Sequence, residues 1–327
     1  MAEQVLNWGL LSTAHINSAI IPPLIASKRN RLDAVASRSQ GSAESYAHKW
    51  NIPRAFGNYE ALLHDPKIDV IYNSLPNHLH AEWTIRALKA GKHVLCEKPL
   101  ALRLDEVDAI ISAAAETGKV VAEAFMYRHH PQTLKVKEMV ESGMLGRVQM
   151  IKGAFTFTLR HQPDIRWNKE MGGGSIWDVG CYPLSYARML AGSEPLEVFG
   201  WQILGSGGAD TSFAAQLRFP NAIFAQFDCG FKSPSRSFME IVGTEGILNV
   251  PVAFKPGLVE TILLQRGEKT EAIEIKGQDL YIGEVEDMAD AILHGKSPCV
   301  SLTDSRGTVA AILGLIQSAE TGKPVLL

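Results

Sequence analysis

The chain has 327 residues, of which 46% are hydrophobic and 20% are charged. This length predicts two domains at roughly 150 residues per domain, and the composition is typical of a chain that buries a core. A net charge of −3 leaves no basic excess for nucleic acid. No apolar run approaches the roughly 20 residues of a membrane helix, and the first residues lack the basic region of a signal peptide. We therefore expect a cytoplasmic protein with no nucleic-acid or membrane partner.

The cysteines give no sign of a disulfide framework or a zinc site. They are widely separated and contain no CxxC pair, at Cys96, Cys181, Cys229 and Cys299. This spacing predicts buried thiols in a reducing compartment.

The first 125 residues repeat a short apolar run, a turn and a helix-like stretch. Nearly continuous apolar runs predict strands covered on both faces, and their alternation with helices predicts a parallel sheet of βαβ units. The predicted strands are Leu6–Leu11, residues 32–36, Val70–Asn73, residues 94–96 and residues 120–122. The predicted helices are residues 42–50, 78–90 and 105–117, the last with Asp105 as its N-cap and Gly118 at its C-terminus.

After about Gly146 the pattern changes to an alternation of period two, which predicts a largely antiparallel sheet. The predicted strands are residues 155–159, 213–219, 223–229 and 238–242 and Ile247–Val250, followed by helices at residues 283–293 and 301–321. The fold class is therefore α/β. We predict a Rossmann doubly wound domain over residues 1–124. Residues 125–327 are predicted to form an α+β domain with a large open sheet, whose last helix can pack back on the first domain.

The turn after the first strand stands where a doubly wound sheet binds a dinucleotide. Gly9 and Ala14 match the first glycine and the last small residue of the fingerprint, while Ser12 and Thr13 occupy its middle. Small hydroxyls there could donate to a phosphate at the helix N-terminus. An ordinary turn with a Ser/Thr cap explains the same residues equally well.

The end of the second strand favours NADP over NAD. NAD enzymes place an acid there for the ribose 2′-hydroxyl, whereas this chain has Ser37 and Arg38 and no acid after Asp33. A hydroxyl and a guanidinium suit a 2′-phosphate. The alternative is a solvated surface arginine. We predict NADP(H) as the preferred cofactor, with NAD(H) possible.

Two further segments carry a family resemblance. Residues 91–100 end in Glu97-Lys98-Pro99 at a strand end, and residues 172–183 contain three glycines followed by Asp178 and Tyr182. In this combination the chain resembles the Gfo/Idh/MocA oxidoreductases essentially from end to end. The resemblance implies a C-terminal sheet that covers the nicotinamide, and hydride transfer at a sugar or polyol carbon.

The resemblance also implies roles for particular residues. Lys98 matches the family's active-site lysine, and Asp178 matches an acid near the catalytic residue. Tyr182 stands where many members have histidine, as in the branch with dimeric dihydrodiol dehydrogenases, NADP-linked xylose dehydrogenases and glucose–fructose oxidoreductase. Residues 123–131 resemble the same branch, and Arg166-Trp167 resembles a loop over the cofactor. The departures from the family pattern are Ser12 in the first turn, which bears on phosphate binding, and the tyrosine, which argues against the inositol dehydrogenase mechanism.

The chemistry of these residues is consistent with those roles. Oxidation of an alcohol removes a hydroxyl proton as the hydride leaves, and a phenol with a pKa of about 10 needs a nearby positive charge to act as the base. Lys98 would supply that charge and, in reduction, would polarise the carbonyl. The alternatives are an ion pair of Lys98 with Glu97 and a Tyr182 side chain that only packs in the core.

The complete predicted site has three groups of residues. The catalytic group is Lys98, Tyr182 and Asp178, and the last two share a helix face that opens at the glycines. The substrate group is Tyr127, Arg128, His129 and Asp178. The cofactor group is Gly9, Ser12, Thr13, Ala14, His15, Ile16, Ser37, Arg38, Ser74, Leu75, Pro76, Asn77, His80, Glu97, Lys98, Arg166 and Trp167.

The histidines do not form a metal-binding pattern, and we predict no metal site. They are His78, His80, His129, His130 and His161. His80 is expected to cap the helix near the cofactor instead, and His129 or His130 to line the substrate pocket.

The predicted function is NADP(H)-dependent hydride transfer to or from a sugar, cyclic polyol or dihydrodiol. Two alternatives remain open: an NAD-dependent relative that cleaves glycosides through transient oxidation, and a non-catalytic regulator that senses NADP(H). The broad apolar sheet predicts a homodimer or homotetramer.

Overall fold

The computed structural model describes residues 4–160 and 164–327, so that His161 lies outside the described residues. The chain forms two compact units. The first contains the residues up to Met126 together with Tyr281–Arg306, and the second contains Tyr127–Leu280 and Gly307–Leu327. None of the described helices is long and apolar enough to cross a membrane. Within the same residues, no group of three or more His, Cys, Asp or Glu side chains is placed to hold a metal ion.

The first unit is built on a parallel sheet. Its strands are β1 (Leu6–Leu11), β2 (Asn30–Ala36), β3 (Arg54–Phe56), β4 (Val70–Asn73), β5 (His93–Glu97) and β6 (Val121–Ala124). They lie in the order β3-β2-β1-β4-β5-β6, and every pair is parallel. Helices cover the sheet, which explains the continuous apolar runs. Even the indole of Trp8 is fully buried, with its Nε1 donating to Asn30 Oδ1 at 2.8 Å.

Five helices connect these strands. They are α1 (Asn17–Ala26), α2 (Gln40–Trp50), α3 (Tyr59–Leu63), α4 (His80–Lys89) and α5 (Leu104–Thr117). Gly118 ends α5 in the left-handed conformation at φ +66°, as predicted. The predicted cap at Asp105 is wrong, because the helix begins one residue earlier and its N-cap is Arg103. The Asp105 carboxylate instead accepts from Arg103 Nε at 2.8 Å.

The second unit carries a nine-stranded sheet. Its helices are α6 (Pro131–Glu141) and α7 (Cys181–Ala191), and its strands are β7 (Val148–Thr158), β8 (Glu197–Leu204), β9 (Asp210–Arg218), β10 (Phe224–Gly230), β11 (Lys232–Gly243), β12 (Ile247–Val250), β13 (Val259–Arg266), β14 (Lys269–Lys276) and β15 (Val325–Leu326). The order is β14-β13-β12-β11-β7-β10-β9-β8-β15. Among the described strands of this sheet, only β7 and β10 pair in parallel. The predicted α/β fold class, with a mostly antiparallel second sheet, is confirmed.

One face of the second sheet is open to solvent over β8, β9 and β10. Phe213, Ala215 and Leu217 of β9 are buried, whereas Ala214 and Gln216 between them are exposed, as the period-two pattern predicts. We call the exposed side of these strands the open face. Its large apolar members are Trp201, Ile203 and Phe224, which are 55%, 64% and 47% exposed.

Two final helices follow the sheet, α8 (Ile282–His294) and α9 (Leu302–Thr321). Helix α8 packs against α1 within the first unit. Arg29, just after α1, reaches two acids of α8, with Nε donating to Glu286 at 2.8 Å and the guanidinium pairing with Asp290. These contacts explain why the chain from Tyr281 to Arg306 belongs to the first unit.

Candidate active site

The first candidate element is the turn after β1. Ser12 has φ +114°, a region that residues other than glycine rarely adopt. Its Oγ lies 3.0 Å from Ser74 Oγ and accepts from the Ala14 N–H at 3.1 Å. The Ser12 carbonyl accepts from Asn17 Nδ2 at 2.8 Å. The structure therefore brings together the ends of β1 and β4, where Ser12 and Ser74 were predicted to act.

Gly9 has a packing reason for being a glycine. A Cβ there would lie 2.9 Å from Leu62 Cδ1 of α3. Thr13, Ala14, His15 and Ile16 continue the turn into α1, and no side chain caps the N-terminus of this helix. The Ala14 N–H of this turn already donates to Ser12 Oγ, so a phosphate would meet the other backbone amides that precede α1.

At the end of β2, the structure separates the acid from the predicted cofactor residues. Asp33 pairs with Arg54 of β3, which also pairs with Asp65. The Asp33 carboxylate is therefore already paired with the Arg54 guanidinium. Arg38, by contrast, is exposed and has no carboxylate within 4.0 Å among the residues that the structure describes. The residue before it, Ser37, is buried and donates its N–H to Phe56 O at 3.0 Å.

The positive charge of Arg38 also acts on Tyr59, the first residue of α3. Burial raises the pKa of Tyr59, and the positive charge of Arg38 acts in the opposite direction. A cation without a carboxylate partner at the carboxyl end of a Rossmann strand is suited to an anionic ligand.

The segment after β4 leads directly into α4. Ser74 Oγ donates to the Leu11 carbonyl at 3.3 Å. The Leu75 carbonyl oxygen lies 2.7 Å from Nε2 of His80. Pro76 and Asn77 begin the short 3₁₀ turn that precedes α4. The expectation that His80 caps α4 is wrong, because the N-cap is Leu79 and no side chain caps it.

Lys98 follows the last residue of β5, and the main chain around it is anchored on both sides. Tyr72 donates its hydroxyl to Glu97. Beyond Lys98, the Pro99 carbonyl contacts His80 Nδ1 at 2.7 Å, and the Leu100 N–H donates to Glu123 Oε1 at 2.8 Å. Three buried polar side chains from β4, α4 and β6 therefore fix the loop that presents Lys98.

The glycine segment has a steric explanation within the second unit. Gly172 and Gly174 have φ of +77° and +123°. A Cβ on Gly173 would lie 2.6–2.7 Å from the carbonyl oxygens of residues 165, 166 and 168, and one on Gly174 would lie 2.3 Å from Asp210 Oδ1. The glycines thus allow the chain to fold tightly against its own backbone.

Asp210 anchors the helical segment that begins after the glycines. Its Oδ2 accepts from the Ser175 hydroxyl and from the Ile176 N–H at 3.0 Å. Burial raises the pKa of Asp210, and these hydrogen bonds oppose that shift. A single π-helical turn, Ile176–Gly180, then leads into α7. Such turns occur frequently at functional sites.

Asp178 lies in this turn and is joined to the predicted cofactor loop. Arg166 Nε donates to Asp178 Oδ2 at 2.8 Å, and Arg166 also pairs with Asp164 at 3.1 Å. Burial would lower the pKa of Arg166, but the two carboxylates outweigh it and the pKa is raised. The next residue, Trp167, packs edge-on against Phe231, with ring centres 5.5 Å apart.

Tyr182 lies near the start of α7 in an aromatic cluster. The ring is 5% exposed and packs edge-on against Phe155 at 5.2 Å. Tyr127 lies 5.7 Å away and Phe254 5.8 Å away, measured between ring centres. The predicted catalytic Tyr182 and the predicted substrate-binding Tyr127 are thus neighbours. Tyr182 lies on α7, whereas Tyr127 lies in a 3₁₀ turn that precedes α6.

The other predicted substrate residues follow Tyr127. Arg128 is buried and donates to Ser185 Oγ at 3.0 Å. His129 is mostly buried, which together with the Arg128 charge lowers its pKa to about 4. His130 is the N-cap of α6, accepting from Gln132 N at 3.2 Å, and its Nε2 contacts Gly257 O at 3.1 Å. Of the two histidines considered for the pocket, His130 therefore has a structural role.

Comparison with known proteins agrees with this architecture. The family model described as an oxidoreductase family with an NAD-binding Rossmann fold matches residues 6–125, and the GFO/IDH/MocA C-terminal domain model matches residues 133–249. A D-xylose 1-dehydrogenase (NADP(+)) of Haloferax volcanii is 34% identical over 98% of this chain and 99% of its own length. A trans-1,2-dihydrobenzene-1,2-diol dehydrogenase of Mus musculus is 30% identical over 81% of this chain and 79% of its own.

A solved structure is also similar over almost the whole chain. The 3-ketoreductase from Actinomadura kijaniata, in complex with NADP and TDP-benzene, has a TM-score of 0.91 and 28% identity. The similarity covers 96% of this chain and 98% of that one.

The parallel sheet and its strand-end residues define a dinucleotide-binding oxidoreductase. The chain belongs to the Gfo/Idh/MocA family, as the sequence resemblance indicates. It is an NAD(P)-dependent dehydrogenase or reductase that acts on CH–OH groups.

Proposed function

We propose that this enzyme is an NADP(H)-dependent dehydrogenase or reductase of sugars, cyclic polyols or dihydrodiols. The observation that carries the proposal is the fixed presentation of Lys98 at the carboxyl end of β5, by anchors at Glu97, Pro99 and Leu100. A strand-end lysine that served only as a surface charge would not need three buried partners for its neighbours.

Two residues perform the proton chemistry in this proposal. When bound, the nicotinamide accepts a hydride from the carbinol carbon or supplies one to the carbonyl carbon. In oxidation Tyr182, as phenolate, takes the hydroxyl proton while the C–H electron pair leaves with the hydride. In reduction the Tyr182 hydroxyl returns that proton to the oxygen. Lys98 stabilises the negative charge on the reacting oxygen and on the phenolate.

The cofactor preference rests on the end of β2. Asp33 is paired with Arg54, whereas Arg38 has no carboxylate partner among the described residues. We assign Ser37 and Arg38 to the 2′-phosphate, which fits NADP(H) better than NAD(H). Ser12, Thr13, Ala14, His15 and Ile16 would hold the pyrophosphate, and the segment from Ser74 to Asn77 would lie along the nicotinamide half.

The substrate class is proposed from the polar groups of the second unit. Tyr127, Arg128, His129 and Asp178 would orient substrate hydroxyls. Xylose dehydrogenase and dihydrodiol dehydrogenase are named activities of similar proteins. Both activities oxidise a secondary or hemiacetal alcohol on a ring, which is the chemistry that the Tyr182 proposal requires.

A substrate panel tests this function. Aldoses, ketoses, anhydro-ketoses and trans-dihydrodiols are each incubated with the enzyme and NADPH or NADP⁺, and NADPH absorbance is followed. We expect net turnover with at least one class and none without enzyme. Net turnover would exclude both the glycoside-cleaving relative, which regenerates its cofactor in each cycle, and the regulator. Binding of NADPH with no turnover across the panel would contradict the proposal.

We further propose that the enzyme is a homodimer or larger homo-oligomer formed through the open face. Trp201, Ile203 and Phe224 form an apolar surface there that a second copy would cover. Two ion pairs lie on the same sheet, Arg236 with Asp228 and Arg218 with Glu197. A partner covering the apolar residues would therefore not need to neutralise these four charges.

Analytical ultracentrifugation tests the oligomer. We expect the wild type to sediment as a dimer or larger species and Ile203→Lys to sediment as a monomer, because a buried unpaired charge costs several kcal/mol. Ile25→Lys is the matched control, since Ile25 is 66% and Ile203 64% exposed. A monomeric wild type, or an Ile203→Lys variant that associates like wild type, would contradict the assignment.

The same proposal includes a cytoplasmic location. Cys96, Cys181 and Cys229 are buried free thiols, as predicted, whereas the prediction is wrong for Cys299, which is exposed. Reduced thiols of this kind are typical of a reducing compartment.

A further inference from the structure

His80 occupies an unusual position between two strand-end loops of the first unit. Its ring is 1% exposed. Nδ1 lies 2.7 Å from the Pro99 carbonyl oxygen, and Nε2 lies 2.7 Å from the Leu75 carbonyl oxygen. Both ring nitrogens therefore face the backbone of segments that follow β5 and β4. This geometry leaves no ring nitrogen for a direct contact with a ligand.

The backbone of His80 is fixed as well. Asn73, at the end of β4, donates its Nδ2 to the His80 carbonyl at 3.1 Å and to Thr84 Oγ1 at 3.1 Å. These hydrogen bonds fix the backbone that carries the ring at the first residue of α4. A rigid ring placed between two carbonyls fixes the distance between the two loops.

The protonation state of the His80 ring decides how many of the two carbonyl contacts are hydrogen bonds. A neutral imidazole donates from one nitrogen only, so it can form a full hydrogen bond with one of the two carbonyls at a time. Burial lowers the pKa of His80 to about 4, and the contacts with Pro99 and Leu75 oppose that shift. Burial thus favours the neutral ring, whereas the two carbonyl contacts favour the protonated ring, which donates to both loops.

We propose that His80 is the positioning residue that sets the place of Lys98, through the Pro99 carbonyl, and separately supports the cofactor-side loop through the Leu75 carbonyl. This inference rests on the proposed function, because it takes Lys98 as the group that acts on the reacting oxygen. Pro99 directly follows Lys98, so movement of this carbonyl moves the lysine. Leu75 belongs to the loop assigned to the cofactor.

Two substitutions separate the two contacts. In asparagine the amide nitrogen is the same number of bonds from Cβ as Nδ1, and in glutamine it is the same number as Nε2. His80→Asn therefore keeps a donor for Pro99, and His80→Gln keeps a donor for Leu75. We expect His80→Gln to lower kcat about 10-fold with the Kd for NADPH within about 2-fold of wild type. We expect His80→Asn to weaken NADPH binding about 10-fold with kcat changed less than about 3-fold.

His93→Asn is the matched control for general loss of packing. His93 is a partly buried histidine at the start of β5, where its Nδ1 accepts from the Val120 N–H at 2.9 Å. This variant should lower the thermal midpoint without changing kcat or Kd. Thermal midpoints of all three variants, measured on the full chain, then separate unfolding from mispositioning.

The outcomes are distinct. The inference is supported if His80→Gln loses mainly kcat and His80→Asn loses mainly affinity for NADPH. Parallel losses in both His80 variants, wild-type values in both, or the opposite crossing would overturn it. Lys98→Met is measured beside them: if it keeps wild-type turnover, the proposed function fails, and if it is inactive while the His80 variants behave alike, only the role of His80 fails.

Discussion

Tyr182→Phe should lower turnover at least about 100-fold while NADPH still binds with nearly unchanged affinity. The substitution removes the only atom that the proposed proton transfer uses, and general acid–base groups contribute about 10²–10⁴ in rate. The ring itself remains, so the packing against Phe155, Tyr127 and Phe254 is preserved. Steady-state turnover and a fluorescence titration with NADPH measure the two quantities.

Tyr186→Phe provides the control for this experiment. Tyr186 lies one turn further along α7, is fully buried, and stacks on Tyr127 with ring centres 5.4 Å apart. Burial raises the pKa of its hydroxyl, which keeps the phenol neutral. Its loss should leave turnover within about 3-fold of wild type. Unchanged turnover in Tyr182→Phe would remove Tyr182 from the mechanism.

Arg38→Ala should weaken NADPH binding at least about 10-fold and change the Kd for NADH less than about 2-fold. The expected loss follows from one charge-assisted hydrogen bond to the 2′-phosphate, worth about 1.5–3 kcal/mol. Parallel titrations of both reduced cofactors measure it. NADH lacks the 2′-phosphate, so it reports any general damage to the site.

Arg31→Ala is the control for surface charge. Arg31 is an exposed arginine near the start of β2, whereas Arg38 follows the end of the same strand. It should leave the affinities for both cofactors unchanged. Equal weakening of NADPH and NADH in Arg38→Ala would be incompatible with the 2′-phosphate assignment.

Local patterns predicted five strands and three helices of the Rossmann unit, but gave no range for α1, β3 or α3. The continuous run of β1 and the alternating run of β10 each reflect how many faces of the strand are covered, and this is visible within six or seven residues. By contrast, β14 has no such signal because seven of its eight residues are only partly buried or exposed. Its place at the sheet edge is set by pairing with β13, which a local pattern does not encode.

The sequence proposed candidate site residues but not the side chains that support them. Motif spacing identified Lys98 and Tyr182, yet Asp210, which anchors the beginning of the Tyr182 helix, is 35 residues from its partner Ser175. Glu123, which holds Leu100, is 23 residues away from it. Long-range pairs like these depend on the assembled sheets. The three glycines likewise predicted a close approach of the backbone to another group. Only the folded chain identifies the backbone carbonyls of residues 165, 166 and 168 as the groups that Gly173 approaches.

The most direct measurement of the proposed chemistry is isotope transfer. NADPH deuterated at both C4 positions is incubated with the enzyme and each carbonyl compound that the panel identifies, and the product alcohol is analysed by mass spectrometry. Hydride transfer predicts one deuterium on the new carbinol carbon, in stoichiometric proportion to the NADPH consumed, and strongly reduced incorporation in Tyr182→Phe. NADPH consumption without deuterium in the product would contradict hydride transfer to the substrate.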